Sequence, residues 1–313
     1  MTPFEYVTQY HDFTVVDARL GLSVQTKLTG YNNHYSAEGD KQVVAITSAL
    51  ARKYFRGKTL SSVFSIPGEP RIDSSQHFSV GSLRRAFQSR GSPYEFRHAL
   101  RLAFLAGQCE APGKPSAAAY AAKWFTNDCV SFAANYSGVS PSTPVFAYAL
   151  GLSDRMLKAP GVTADVRLSA PIVQLPPRTS AADIQQGDLL LTLSVPDTRG
   201  IAWRHIAVVQ DFSPLAGDAG LLSIAEWGWN VAADHTVRGR RVSLHDGSKG
   251  DRKAYAQLQA VRKQFVGGGD VVAFDGRAPG PGHPPALRIF FDASRFQDLD
   301  SRGYLVAGQP APN

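Results

Sequence analysis

The hydrophobic period of the chain changes near residue 187, and this change limits the folds that it can adopt. Amphipathic helices are predicted before that point, where apolar residues recur every three to four positions, in segments 39–57, 79–91 and 93–107. Strands are predicted after it, where runs of leucine, valine and isoleucine are bounded by turn residues, in segments 188–195, 205–212, 220–229, 271–276 and 286–293. Helices followed by mostly antiparallel strands predict an α+β fold.

Two detailed expectations follow from the predicted helices. The first helix should bury one face, formed by Val43, Val44, Ile46, Leu50 and Tyr54. The second and third should each be closed by a glycine, Gly91 and Gly107, because glycine readily adopts the left-handed backbone that ends many helices.

The segment 110–117, EAPGKPSA, is the clearest linker in the chain. We therefore predict a mostly helical accessory region over 1–112, of unknown role, and an α+β domain over 113–313. The sequence has no apolar run long enough for a transmembrane segment, and its N-terminus lacks the basic start and apolar core of a secretory signal. These features leave the location open between the cytoplasm and export by a specialised secretion system.

The chain is basic, with 33 lysines and arginines against 26 aspartates and glutamates. The basic residues are scattered, with short clusters at 238–241 and 249–253, and no zinc-finger or RNP signature accompanies them. We expect a solvated basic surface that attracts anionic polymers rather than specific nucleic-acid binding. HExxH, CxxC and P-loop motifs are also absent from the sequence, so neither a metal nor another cofactor is expected.

The chain contains only two cysteines, and they lie in different surroundings. Cys109 follows an apolar run and is interpreted as a structural thiol, with a disulfide to Cys129 as the alternative. Cys129 follows Thr126, Asn127 and Asp128, three residues that favour the N-cap of a helix. A cysteine in the first helical turn is more readily a thiolate, the form that a catalytic nucleophile needs. The alternative is a small apolar residue packed in a core helix.

A thiolate nucleophile also needs a base, usually a histidine that a third polar group orients. Of the eight histidines, only His205 begins an apolar strand, in HIAVVQDF. The next strand carries one acid in an apolar run, Glu226 in LLSIAEWGW. Because a charge in such a strand should be paired, we predict that His205 and Glu226 pair across the hairpin.

Three motifs in this order resemble a known group of domains. NDCVSFA resembles the cysteine-bearing helix start of NlpC/P60, CHAP and related amidase domains. QQGDLLL followed by RHIAVVQDF resembles two successive strands of these domains, of which the first begins with glycine-aspartate and the second carries the histidine. SIAEWGWN is similar to the segment that supplies a glutamate in CHAP domains. The resemblance covers roughly 115–230. The chain has Val130 where serine or threonine is usual, and Gly228 where CHAP domains commonly have asparagine.

The resemblance implies a papain-like domain in which the cysteine helix packs on an antiparallel sheet, and cleavage of amide bonds in peptidoglycan peptides. It implies Cys129 as nucleophile, His205 as base and Glu226 as the orienting residue, with His235 or Asn230 as alternatives for that third position. Backbone donors near Cys129, with Asp128 and Asn127 in support, would hold the oxyanion. For Asp128 the favoured alternative is a simple N-cap.

Several alternatives remain open from the sequence. Trp203, Trp227 and Trp229 flank the predicted base and acid, and they are interpreted either as a substrate groove or as ordinary core aromatics. The other functions are a protein-directed cysteine protease, a transglutaminase-like acyltransferase, and a non-catalytic wall-binding module on the same fold. If the protein is an exported antibacterial effector, a cognate immunity protein is an expected partner.

Overall fold

A computed structural model describes residues 1–31, 37–73, 75–138, 175–194, 202–217, 219–228, 235–246, 272–275 and 286–294 of the chain. The helices among them are α1 (Pro3–His11), α2 (Ala37–Tyr54), α3 (Val80–Phe87), α4 (Pro93–Leu105), α5 (Ala117–Trp124) and α6 (Cys129–Tyr136). The strands are β1 (Phe13–Asp17), β2 (Leu22–Thr26), β3 (Val63–Phe64), β4 (Phe78–Ser79), β5 (Leu189–Ser194), β6 (Ala202–Leu215), β7 (Ala219–Glu226), β8 (Thr236–Ser243), β9 (His245–Asp246), β10 (Val272–Asp275) and β11 (Ala286–Phe291). This mixture of helices and antiparallel sheet confirms the predicted α+β class.

The chain forms two compact units. The helical unit comprises Glu5–Phe132, and the sheet unit comprises Met1–Phe4 together with Ala133–Asn313. The division falls inside α6, whereas the predicted boundary between residues 112 and 113 lies within the helical unit. None of the helices in the described ranges is both long enough and apolar enough to cross a membrane.

The helical unit is built around aromatic side chains. Phe96 of α4 stacks on Phe125, which follows α5, with ring centroids 4.9 Å apart and an interplanar angle of 8°. A Ser92–Glu95 capping box starts α4, satisfying backbone donors that no helical carbonyl reaches. Two hairpins, β1–β2 and β3–β4, complete this unit.

Two detailed helix predictions needed correction. Val44 is 61% exposed, whereas Val43, Ile46 and Leu50 are buried, so the buried face of α2 is narrower than predicted. After α3 the left-handed conformation belongs to Ser89, with φ 59°. Gly91 instead allows close packing, because a Cβ there would lie 2.4 Å from the Phe96 ring. Gly107, with φ 66°, follows α4 as expected.

The sheet unit contains one seven-stranded antiparallel sheet in the order β8-β7-β6-β5-β11-β10-β9. Only Leu244 separates β8 from β9 in the chain, and β9 pairs with β10. The segment 236–246 therefore joins the two edges of the sheet. Strand β11 fills the position between β5 and β10, so the sheet combines neighbouring hairpins with one long-range pairing.

Both faces of the central strands are buried. We call the face that carries Leu190, Ala207, Ile224 and Phe290 the Ala207 face, and its apolar cluster also includes Val242 and Leu244. The opposite face buries Leu191, Ile206, Val208 and Ile289 completely. Central strands covered on both faces explain why β5 and β6 have nearly continuous apolar sequences.

A buried ion pair fixes the start of β5. The Arg178 guanidinium donates to Asp188 through Nε (2.8 Å) and Nη2 (2.7 Å), and through Nη1 to Asp292 (3.2 Å). Asp188 is the aspartate of the glycine-aspartate motif, and its Oδ2 also accepts the Gln185 N–H at 2.9 Å. Asp292 follows β11, so this pair links the two adjacent strands β5 and β11.

Candidate active site

His205 and Glu226 are brought together by the pairing of β6 with β7. The register sets Glu226 opposite Ala207, so His205 lies two residues along β6 on the same face of the sheet. His205 Nε2 lies 2.7 Å from Glu226 Oε2, and the two side chains are 23% and 13% exposed. The pairing predicted across the hairpin is therefore present in the structure.

A β-bulge lies next to His205. Thr192 of β5 pairs with His205 but Leu193 pairs with Trp203, so Arg204 is an extra residue in β6. Bulges bend a strand and redirect the adjacent side chain, and they are frequent beside active sites. The bulge thus gives His205 a local geometry that a regular strand would not provide.

Glu226 is held as a carboxylate. Burial alone would raise its pKa, but the hydrogen bond from His205, followed by the charges of His205, Arg288 and Arg240, lowers the pKa below the ordinary value. An ionised Glu226 can only accept a hydrogen bond, so Nε2–H of His205 donates to it and the neutral imidazole has its lone pair on Nδ1. Nδ1 is then the nitrogen that can take up a proton.

Polar residues extend across the sheet from this pair. Arg288 of β11 pairs with Thr192 of β5, and Thr192 pairs with His205 of β6. Directly paired residues share a face, so Arg288, Thr192 and His205 form one row on the Ala207 face. The neighbouring row contains Phe290, Leu190, Ala207 and Glu226.

His235 has a different environment from the one expected of an orienting residue. Its ring stacks on Trp227 with centroids 3.9 Å apart and an interplanar angle of 11°. Its carbonyl accepts the Glu226 N–H at 3.0 Å, and its backbone is left-handed with φ 53°. His235 thus packs beside the strand end, while Glu226 contacts the His205 ring.

For Trp227 the structure selects the second of the two interpretations, an ordinary core aromatic. Trp227 is completely buried, so it belongs to the core and lines no substrate groove. The Trp203 side chain, Trp229 and Asn230 lie outside the described residues.

Cys129 is the first residue of α6, as the N-cap cluster predicted. The Asp128 Oδ1 accepts the Ser131 N–H at 2.6 Å, which is the N-cap hydrogen bond. Burial raises the pKa of Asp128, although its hydrogen bonds from Ser131 and the charge of Arg90 oppose that effect. Cys129 itself is 3% exposed.

The segment before α6 is held in place by several contacts. The Thr126 hydroxyl lies 2.6 Å from that of Ser89, and the Asn127 N–H donates to the Gly30 carbonyl at 3.1 Å. A Cβ at Gly30 would lie 2.6 Å from Thr126 Cγ2, so this approach requires glycine. Asn127 is fully buried, and its Oδ1 accepts the Asp128 N–H at 3.0 Å. Asn127 and Asp128 therefore build the helix start with their side chains, and the Asp128 N–H is already engaged.

Tyr31 is a neighbour of Cys129 that the sequence did not reveal. Its backbone forms a parallel bridge with Asn127. Burial raises the pKa of Tyr31, and the adjacent Cys129 and Asp128 raise it further. No periodicity or motif marks Tyr31, because a residue distant in sequence joins α6 only through this bridge.

Cys109 has the properties of a structural thiol. Both cysteines are free, so no disulfide joins them. Cys109 is buried, and burial, with a smaller effect of Glu110, raises the pKa of its thiol to about 12.

The predicted catalytic residues are divided between the two units. Cys129 belongs to the helical unit, and His205 and Glu226 belong to the sheet unit. No group of three or more histidine, cysteine or acidic side chains within the described ranges is arranged to hold a metal ion.

Comparisons of the chain with models of known families, with curated proteins and with solved structures found no match.

Proposed function

We propose that this protein is a cysteine hydrolase of papain-like architecture that cleaves amide bonds, with peptidoglycan peptides as the substrate. The observation that carries the proposal is the 2.7 Å contact between His205 Nε2 and Glu226 Oε2. A carboxylate that holds one imidazole nitrogen leaves the other as a general base, which is the arrangement that thiol catalysis needs. The position of Cys129 at the start of α6 supports the assignment of the nucleophile.

The reaction proceeds through a thioester. His205 takes the proton of the Cys129 thiol, and the sulfur attacks the carbonyl carbon. The amide N–H of Cys129, which has no acceptor within its own helix, donates to the oxyanion. The protonated His205 gives its proton to the leaving nitrogen as the C–N bond breaks. His205 then accepts a proton from water, whose oxygen attacks the thioester. As the C–S bond breaks, His205 returns that proton to the sulfur, which leaves the carboxylic acid and the Cys129 thiol.

The test is incubation of the purified chain with purified peptidoglycan, followed by mass analysis of the released fragments. The wild type should release fragments with new amine and carboxyl ends, and Cys129→Ser should release none, since a hydroxyl is far less acidic than a thiol. Cys109→Ser is the matched control and should retain activity. Full activity of Cys129→Ser would refute the enzyme assignment.

A second measurement tests the pairing of nucleophile and base, because the mechanism requires the Cys129 thiol to reach the His205 imidazole. The two-headed alkylating agent 1,3-dibromoacetone should cross-link Cys129 to His205, detected by peptide mapping. Both thiols are buried, but burial raises the pKa of Cys109 to about 12, so iodoacetamide should label Cys129 faster than Cys109. Equal, slow labelling of both thiols without a cross-link, together with no cleavage, would favour the non-catalytic binding module.

A further inference from the structure

The Glu226 carboxylate is surrounded by positive charge from several strands. His205 contacts it from β6. Arg288 of β11 and Arg240 of β8 lie on the same face of the sheet, and the three groups together lower the pKa of Glu226 against the effect of burial. From the residue that precedes β8, the carbonyl of His235 accepts the Glu226 N–H. The carboxylate therefore has charged neighbours on both sides of its own strand.

Arg288 differs from Arg240 in its surroundings. Arg240 is exposed, so solvent and salt weaken its field. Arg288 is partly buried, its Nε is shielded from solvent, and it lies in the Thr192–His205 row on the same face as Glu226. A charge in such a low-dielectric position acts more strongly on its neighbours.

We propose that Arg288 is a positioning residue of the active site, whose partly buried charge, on the same face of the sheet and one row away from Glu226, keeps that carboxylate ionised as the partner of His205. The proposal rests on the proposed function for its catalytic consequence, but its physical content is independent of turnover. Arg288 touches no reacting atom in this scheme. It acts through Glu226, which in turn orients the imidazole and stabilises the imidazolium.

The first test follows the Glu226 carboxyl carbon by ¹³C NMR during a pH titration. Replacing Arg288 by Gln removes the positive charge, so Glu226 should become protonated at a higher pH than in the wild type. Arg288→Lys should restore most of the wild-type titration. Arg241→Gln is the matched control, because Arg241 pairs with the exposed Leu221 on the opposite face, and it should leave the titration unchanged.

The second test is the pH dependence of kcat. In Arg288→Gln the acid limb should move to higher pH, with about a fivefold loss near pH 5 and a difference of less than about twofold above pH 7. A purely structural role would lower kcat equally at every pH and would not be rescued by lysine. That result, or an unchanged Glu226 titration, would overturn the proposal.

The two proposals can fail separately. If the wild type cleaves no amide substrate, the proposed function fails while the NMR titration still decides the role of Arg288. If Arg288→Gln does not fold, Arg288→Met, which keeps an apolar stem of similar length and removes the charge, should displace the Glu226 titration to higher pH. No displacement in a folded Arg288→Met protein would then refute the proposal.

Discussion

His98 of α4 makes the stability of the helical unit depend on pH. It lies between the rings of Phe78 (5.6 Å) and Tyr94 (4.2 Å), and burial, with a smaller effect of Arg101, lowers its pKa from 6.5 to about 4. Below pH 6.5 His98 is protonated in the unfolded chain but stays neutral in the folded chain. The free energy of unfolding must therefore decrease as the pH falls toward 4. His98→Phe keeps an aromatic ring between its neighbours and removes this proton.

The size of the effect follows from the two pKa values. Their difference corresponds to at most about 3.4 kcal/mol, since one pKa unit is about 1.36 kcal/mol. Partial solvent contact screens the charge, so we expect roughly 2 kcal/mol. Between pH 7 and pH 4 the wild type should lose roughly this much more unfolding free energy than His98→Phe.

Urea denaturation at a series of pH values measures the effect, with amide hydrogen exchange of α4 as a local probe. Every other titratable group is the same in the two proteins, so the contributions of these groups cancel in the comparison. If the unfolding free energies of wild type and His98→Phe run parallel from pH 7 to pH 4, His98 is not a neutral buried histidine and the reasoning is refuted.

Three further predictions concern other contacts. Glu226→Gln should keep the fold, as measured by circular dichroism, but lower kcat by roughly 100-fold, because the imidazole loses its carboxylate partner. A wild-type rate would mean that another residue orients His205, and loss of activity in His235→Ala would then identify His235 as that residue. Gly39→Ala should destabilise the chain by about 2 kcal/mol or more in thermal unfolding, because its Cβ would lie 2.1 Å from the Phe87 carbonyl oxygen. The control Gly81→Ala should not destabilise it, because the Cβ there would lie 3.4 Å from its nearest neighbour, the Ser79 Oγ. Asp188→Ala should cost about 3–5 kcal/mol by leaving the Arg178 charge buried and without its bidentate partner; a loss below 1 kcal/mol would contradict that role.

Local chemistry made the main elements predictable. The run Thr126, Asn127 and Asp128 contains three N-cap residue types, and one of them, Asp128, caps α6 in the structure. The apolar runs that predicted strands coincide with β5, β6, β7, β10 and β11. In the central strands β5 and β6 the reason is burial of both faces, which needs apolar residues at nearly every position. The His205–Glu226 contact was predictable because a lone acid in an apolar strand requires a partner.

The remaining features depend on register and on long-range contacts. Arg288 joins the row of His205 only because β11 pairs with β5, a relation that no local pattern encodes. Tyr31 reaches Cys129 through a single bridge. Val44 was predicted on the buried face of α2, because hydrophobicity alone does not show whether a residue lies at the centre of the apolar face of a helix or beyond its edge. β8 was missed since TVRGRRVS has too few apolar residues to predict a strand.

The position of β11 between β5 and β10 also sets an order of events during synthesis. Hairpins β5–β6 and β6–β7 can form early, but the inner edge of β5 has no partner until β11 has emerged. At roughly 5–20 residues per second, the segment from Glu226 to Phe291 takes about 3 to 13 s to translate. During that interval the nascent sheet exposes an apolar strand edge, Leu189 to Leu193, to neighbouring chains. A ribosome stalled before β11 should therefore display a species that chaperones bind, and release beyond residue 291 should end that binding.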